Sequence, residues 1–182
     1  PDPARTLRVG FVSADLRAHA VASFIEPLWG ALDAKQVEIW AYSNHVLEDE
    51  VTLRLKRLVH QWRKVVGMSD EELADQIRQD GIDILFDLSG HTGGNRLLTF
   101  ARKPAPVQVS WIGNPNTTGL QAMDYYLADR FSAPPGLLDE GQDHIDPRCS
   151  TIERPGLHFT EISRGHPGTP AWWIAYNNVK LS

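Results

Sequence analysis

Residues 82–95 read IDILFDLSGHTGGN, a short and mostly apolar run followed directly by small and polar residues. Such a run is typical of a strand that is covered on both faces of a parallel sheet. Outward from it, similar β-type runs at residues 7–13, 37–43 and 107–112 alternate with segments of helical periodicity. Ser69 and Glu72 form a capping box, and the helix that they open is predicted to stop at Gly81. The alternation over about residues 7–130 predicts a Rossmann-like α/β fold, a parallel sheet with helices on both faces.

The composition is that of an ordinary globular protein, with 42% hydrophobic and 23% charged residues among 182. A formal net charge of −5 argues against nucleic acid as a partner, because nucleic-acid-binding surfaces carry a basic excess. We find no apolar stretch near the ~20 residues that span a bilayer and no signal-peptide core at the start. The single cysteine, Cys149, excludes an intramolecular disulfide framework. We therefore expect a cytoplasmic protein with no membrane partner.

The last part of the sequence has a different pattern. From residue 143 onward, prolines at 147, 155, 167 and 170 interrupt every periodic segment. We therefore predict a folded lobe over residues 1–142 and an irregular tail over residues 143–182. Limited proteolysis is expected to cut the tail first.

Two histidines follow different predicted strands, His19 after the first and His91 after residues 82–88. Ligands of open parallel sheets bind beyond the carboxyl ends of the strands, so both are candidates for proton transfer or for hydrogen bonding to a substrate. A lone loop histidine is more often solvated or caps a helix, and that alternative stays open. Asp15 could orient His19 or a sugar hydroxyl, or form a local turn.

The segment 90–95 leads directly into a predicted helix. Gly90 would let the backbone approach a ligand, and free amides at the start of a helix favour an anion such as a phosphate. The alternative is a simple turn and cap, since the segment is neither a Walker loop nor a dinucleotide fingerprint. Asp87 could cap this loop through its backbone amides. We see no carboxylate cluster or histidine motif for a metal, so neither a metal nor a cofactor is expected.

Three segments resemble the catalytic region of O-GlcNAc transferases. Residues 7–16, LRVGFVSADL, with the His19-Ala20-Val21 that follows, resemble its opening. Residues 80–92, DGIDILFDLSGHT, resemble a second signature, and residues 102–113, RKPAPVQVSWIG, a third. The resemblance extends over about residues 5–142 in the family's order.

This resemblance implies one lobe of a two-lobed GT-B glycosyltransferase, usually preceded by tetratricopeptide repeats. Such an enzyme transfers N-acetylglucosamine from UDP-GlcNAc to serine or threonine hydroxyls of an acceptor protein or peptide. The resemblance places His19 at the active site, where it has been considered a general base, and His91 in the same cleft. The substrate-binding residues that it implies are Asp15, Gly90, Thr92, Asn114, Pro115, Thr117 and Thr118.

The family continues into a second lobe that binds most of the UDP, and we find no resemblance to it after residue 143. We therefore expect the isolated chain to be inactive and turnover to need a second lobe from another chain. Two alternatives remain: a non-catalytic module that binds a protein or a nucleotide, and a truncated product without function.

Overall fold

The computed structural model describes residues 5–114 and 116–127. The predicted tail at 143–182 lies outside the described residues, and so does Pro115. The described elements are β1 (Leu7–Ser13), α1 (Ala20–Ala31), β2 (Val37–Ser43), α2 (Glu50–Lys56), β3 (Gln61–Lys64), α3 (Asp70–Asp80), β4 (Ile84–Asp87), α4 (Leu97–Ala101), β5 (Val107–Trp111) and β6 (Tyr125–Leu127).

The strands form one sheet in the order β3-β2-β1-β4-β5-β6, and every neighbouring pair is parallel. This is the strand order of the doubly wound Rossmann fold. The chain runs outward from β1 in one direction and from β4 in the other, so the order reverses between these two central strands. In such sheets, ligands bind in the crevice at the reversal. The predicted Rossmann-like fold is confirmed.

Helices cover both faces of the sheet, as adjacent residues of β1 show. Phe11 packs on Trp29 of α1, with ring centroids 5.3 Å apart, and stacks on Phe86 of β4 at 5.0 Å. The next residue, Val12, belongs instead to a buried cluster with Leu73 of α3. Because successive side chains of a strand point to opposite faces, α1 and α3 lie on opposite sides of the sheet.

The sequence signals that bound α3 are confirmed. The Ser69 hydroxyl accepts a hydrogen bond from the Glu72 amide at 3.2 Å, and the Glu72 carboxylate accepts one from the Ser69 amide at 2.7 Å. The helix ends at Gly81, whose φ of +65° is left-handed and favours glycine.

Two predicted helices are shorter than their apolar patterns. Val51, Leu55 and Leu58 lie at helical spacing and predict a helix over 49–59. The observed helix ends at Lys56, where the Arg57 amide donates to the Arg54 carbonyl three residues back and tightens the last turn. The sequence also predicts a helix over about 95–102, ended by the Lys103-Pro104 that follows. The observed helix begins only at Leu97. The Asn95 side chain donates to the Thr92 carbonyl and accepts from the Leu97 amide, which holds Asn95 in the preceding turn.

A buried carboxylate connects α3 to β2 and β3. Asp80 accepts hydrogen bonds from the Tyr42 hydroxyl at 2.7 Å, from two nitrogens of Arg63 at 2.5 and 2.7 Å, and from Gln76 at 3.0 Å. Burial, and then the hydrogen bond to Asp80, raise the pKa of Tyr42. This network fixes the outer half of the sheet against α3.

None of the helices within residues 5–114 and 116–127 could cross a bilayer. The longest of them, α1, has 12 residues, whereas a span needs ~20.

Candidate functional site

The loops that follow β1, β2, β4 and β5 meet at one edge of the sheet, and we call them the carboxyl-edge loops (residues 14–19, 44–49, 88–96 and 112–122). The Asn44 side chain donates a hydrogen bond to the Gly94 carbonyl at 2.8 Å, which joins the second and third of these loops. The Asn114 amide donates to the Ser89 carbonyl at 3.1 Å and joins the third to the fourth. His19 and His91 therefore lie at the same edge, on either side of the point where the strand order reverses.

His19 is exposed and is the N-cap of α1. Its backbone is extended, with φ −153° and ψ 158°, and its Nδ1 accepts a hydrogen bond from the Val21 amide at 3.3 Å. An N-cap satisfies one of the free amides of the first helical turn. The capping alternative left open by the sequence is therefore present, and the other ring nitrogen, Nε2, is not used by the cap.

Asp15 is 9% exposed and lies beside His19. One of its carboxylate oxygens forms an ion pair with Arg17 at 3.1 Å, and its amide donates to the Ser13 hydroxyl at 2.9 Å. The other carboxylate oxygen is 3.9 Å from Nδ1 of His19, which is too far for a hydrogen bond. The Asp15 carboxylate thus pairs with Arg17 and places negative charge near His19 without a hydrogen bond to its ring.

Asp87 organises the turn after β4. Its buried carboxylate accepts from the Ser89 amide at 3.0 Å, from the Gly90 amide at 3.0 and 3.2 Å, and from the Ser110 hydroxyl at 3.4 Å. Burial raises the pKa of Asp87, and these hydrogen bonds oppose the rise. Gly90 has a φ of +57°, which the tight turn requires.

Four backbone amides of this turn already have partners. The amides of Ser89 and Gly90 point at Asp87, and those of Thr92 and Asn95 donate to the carbonyls of Ser89 and Thr92. The turn-and-cap alternative describes these four bonds, whereas the amides of His91, Gly93 and Gly94 have no hydrogen-bond partner among the described residues.

His91 connects the β4 loop to the β5 loop. Its exposed ring places Nε2 2.9 Å from the Thr117 carbonyl. The β5 loop is further shaped by its own hydroxyls, since Thr117 accepts from the Gly119 amide at 3.2 Å and Thr118 from the Leu120 amide at 3.4 Å. Asn114 and Thr117, both predicted site residues, thus contact the β4 loop directly.

The start of the β5 loop is tightly packed and strained. A Cβ on Gly113 would lie 2.3 Å from the Ser89 carbonyl carbon and 2.5 Å from its oxygen. The residue before it, Ile112, has a φ of +58°, a genuine outlier for a β-branched side chain. Strain of this kind persists only where surrounding contacts enforce it, and it concentrates at functional loops.

The cations at these strand ends already have partners. Arg17 pairs with Asp15, and Lys64 donates to the Val46 carbonyl at 2.6 Å. Arg96 donates to Asn44 at 2.9 Å and to the carbonyls of Met68 and Val65. Among the described residues, no three histidine, cysteine or acidic side chains come together as metal ligands would.

The family follows from comparison with known proteins. Residues 2–144 match the family model for glycosyl transferase family 41. This chain belongs to that family. A relative from Petunia hybrida, named a probable UDP-N-acetylglucosamine–peptide N-acetylglucosaminyltransferase SPINDLY, is 41% identical over 174 residues, which are 93% of this chain. The UDP-N-acetylglucosamine–peptide N-acetylglucosaminyltransferase of Caenorhabditis elegans is 36% identical over 132 residues, or 70% of this chain.

A solved structure shows the same fold. A mutant of the Thermobaculum terrenum O-GlcNAc transferase superposes with a TM-score of 0.72 at 49% identity and covers 76% of this chain. The resemblance to O-GlcNAc transferases and the assignment to one lobe of a GT-B glycosyltransferase are confirmed at the level of the family. The chain spans 18% and 11% of the two relatives and 26% of the solved chain. The Petunia alignment extends beyond residue 142, and the boundary proposed there stays a prediction.

Three residues that hold the carboxyl-edge loops together were not among the predicted site residues. They are Asn44, Gly94 and Gly113. Asn44 directly follows β2, and this position beyond a strand end marks it in the sequence as a candidate of the same kind as His19 and His91. The two glycines are required because other chain segments approach them, Ala14 at Gly94 and Ser89 at Gly113, and such tertiary approaches leave no local signal.

Proposed function

We propose that this chain supplies one lobe, on the acceptor side of the cleft, of a protein O-GlcNAc transferase. The enzyme would transfer N-acetylglucosamine from UDP-GlcNAc to a serine or threonine hydroxyl of an acceptor protein. The observation that carries the proposal is the placement of His19 and His91 beyond the ends of the two central strands, β1 and β4, in a chain of family 41. Ligands of doubly wound sheets bind at that crevice.

In this reaction the acceptor oxygen attacks the anomeric carbon while the bond to the diphosphate breaks, and UDP leaves with the electron pair. His19 and His91 supply hydrogen bonds and a place for the acceptor proton. The residues proposed to line the substrate are Asp15, Gly90, Thr92, Asn114, Pro115, Thr117 and Thr118. The proposal includes no metal and no cofactor, and neither nucleic acid nor a membrane is a partner.

Charge stabilisation of the departing diphosphate is usually a large part of the catalysis of such a transfer. Arg17, Lys64 and Arg96 are held by partners of their own within the described residues. We therefore propose that residues 5–127 do not turn over alone and that a second lobe, from elsewhere in the protein or from another chain, completes the site. The single cysteine of the chain fits the reducing cytoplasm, where we place this activity.

The test is incubation of the purified chain with labelled UDP-GlcNAc alone, with a serine-rich peptide alone, and with both together. We expect weak binding of each ligand. His19→Ala should weaken binding of the ligand that His19 contacts, whereas His60→Ala should leave binding unchanged, because His60 precedes β3 at the opposite edge of the sheet. Failure of both ligands to bind at millimolar concentration would contradict the proposed function. Sugar transfer by the chain alone that disappears in His19→Ala would contradict the need for a second lobe.

A further inference from the structure

Each of the two histidines has one ring nitrogen bonded to the backbone, and this bond decides where the ring proton sits. At His19, the partner of Nδ1 is the Val21 amide, which can only donate. Nδ1 must therefore present its lone pair, and the neutral ring carries its proton on Nε2. The Asp15 carboxylate, 3.9 Å from Nδ1, is too distant to hold a proton there.

At His91, the nitrogen bonded to the backbone is Nε2 rather than Nδ1. Its Nε2 lies 2.9 Å from the Thr117 carbonyl, which can only accept, so Nε2 carries the proton. Nδ1 of the neutral ring then presents a lone pair, and it has no hydrogen-bond partner within residues 5–114 and 116–127. Both rings are thus in the same tautomer, but they leave opposite ends available: an N–H at His19 and a lone pair at His91.

We propose that the two histidines meet the substrate in opposite roles, an inference that rests on the proposed function. His19 donates a hydrogen bond through Nε2 to an oxygen of the bound ligand, and His91 accepts through Nδ1. This differs from the general-base role that the resemblance implies for His19, whose available nitrogen already carries a proton.

The transfer step balances in this arrangement. The acceptor oxygen forms its bond to the anomeric carbon and gives its proton to Nδ1 of His91, while the bond from that carbon to the diphosphate oxygen breaks and UDP leaves with the electrons. The His91 ring becomes a cation that still donates to Thr117 through Nε2. His19 keeps its proton throughout and contributes only a directed hydrogen bond.

The first test reads the ring nitrogens directly, by long-range proton–nitrogen NMR correlation on the full 182-residue chain. We expect Nε2 protonated and Nδ1 bare at both His19 and His91 in neutral solution. His60 is an internal standard, because its Nδ1 accepts from the Ile39 amide at 3.1 Å, at the far edge of the sheet. A proton on Nδ1 of His19, or on Nδ1 of His91, overturns the assignment whatever the chain binds.

The second test replaces each imidazole with a side-chain amide. Asparagine places an oxygen near the position of Nδ1, and glutamine places an NH₂ group near that of Nε2. His19→Gln keeps the ligand-facing donor and loses the helix cap, whereas His19→Asn keeps the cap and loses the donor. At His91 the pattern reverses: His91→Asn keeps a ligand-facing acceptor, and His91→Gln keeps only the bond to Thr117.

We expect a crossed result in titrations with UDP-GlcNAc and with a serine-rich peptide, run separately to identify which ligand each histidine contacts. His19→Asn and His91→Gln should weaken binding of the contacted ligand by about 2- to 10-fold, the effect of one lost hydrogen bond. His19→Gln should bind that ligand more tightly than His19→Asn, and His91→Asn more tightly than His91→Gln, with thermal unfolding to show that each variant is folded.

If the asparagine and glutamine variants of one histidine weaken ligand binding equally, the role assigned to that histidine is wrong. Absence of binding by the unmodified chain would instead overturn the proposed function, while the ring-nitrogen measurement still decides the tautomers.

Discussion

Replacement of Gly113 by alanine tests whether the β4 and β5 loops act as one packed unit. The added Cβ would lie 2.3 Å from the Ser89 carbonyl carbon, 2.5 Å from its oxygen and 2.8 Å from the Gly90 nitrogen. All three are backbone atoms of a turn that Asp87 holds in place, so no flexible side chain can move aside. Ordinary contact begins near 3.4 Å, and the β5 loop must therefore retreat by about 1 Å.

The cost has two parts. Overpacking against rigid atoms costs about 1–3 kcal/mol. A retreat of that size also breaks the Asn114–Ser89 bond, which contributes about 1 kcal/mol. Together these predict a loss of about 2–4 kcal/mol from the free energy of unfolding. The carbonyl of Thr117 moves away from His91 as well, so the His91 ring should lose its defined orientation.

Urea unfolding followed by tryptophan fluorescence measures the stability change, and NMR of the His91 ring measures the loop displacement. The midpoint should fall by about 1–2 M. Gly93→Ala, in the β4 loop that Gly113 contacts, is the matched control, because a Cβ there meets no atom within 4 Å, and it should change stability by less than about 0.5 kcal/mol. If Gly113→Ala unfolds at the same urea concentration as Gly93→Ala, the two loops are not packed as described.

Three further predictions concern the framework. Asp80→Ala should lower the free energy of unfolding by about 3–5 kcal/mol, because it leaves Arg63 and the buried Tyr42 hydroxyl without their partner. Tyr42→Phe should lower it by about 1 kcal/mol in the unmodified protein and by almost nothing in the Asp80→Ala background, and a double-mutant cycle measures this difference. Asp87 has a raised pKa in the folded state, so its contribution is fully present below its ordinary value of 3.8 and is lost as pH rises through the raised pKa. Urea unfolding over that pH range should therefore show the stability of the unmodified protein, relative to Asp87→Asn, falling with rising pH, and a difference that rises with pH would contradict this. Ser69→Ala should cost about 1 kcal/mol in thermal unfolding through loss of the capping box of α3, and an unchanged melting temperature would argue against it.

The parts of the fold that the sequence predicts are those set by local patterns. β1 and β2 were found with their bounds because a continuous apolar run next to polar residues is itself the signal of a buried strand. The bounds of α3 followed from Ser69, Glu72 and Gly81, each of which acts within one helical turn of itself. From parallel topology alone, His19 and His91 were expected at one edge, and the strand order agrees.

The bonds inside the site depend on residues far apart in the chain, and these could not be predicted. Asn44 reaches Gly94 across 50 positions, and Arg96 reaches Asn44 across 52. The cap made by His19 was visible only as a general alternative, because histidine is not among the preferred N-cap residues. The role proposed for His19 depends on the acceptance of that hydrogen bond by Nδ1. Which nitrogen accepts is set by the orientation of the ring, and ring orientation leaves no trace in the sequence.

Ile112 has a consequence for anyone who engineers this lobe for heat tolerance. A laboratory selection for higher melting temperature would favour glycine or asparagine there, because both adopt a φ of +58° more readily than isoleucine does. The same change would relax the backbone at the start of the β5 loop, which carries the carbonyl that orients His91. Thermostability and ligand affinity would therefore compete at this single position, and a screen that scored only survival on heating would select against the site.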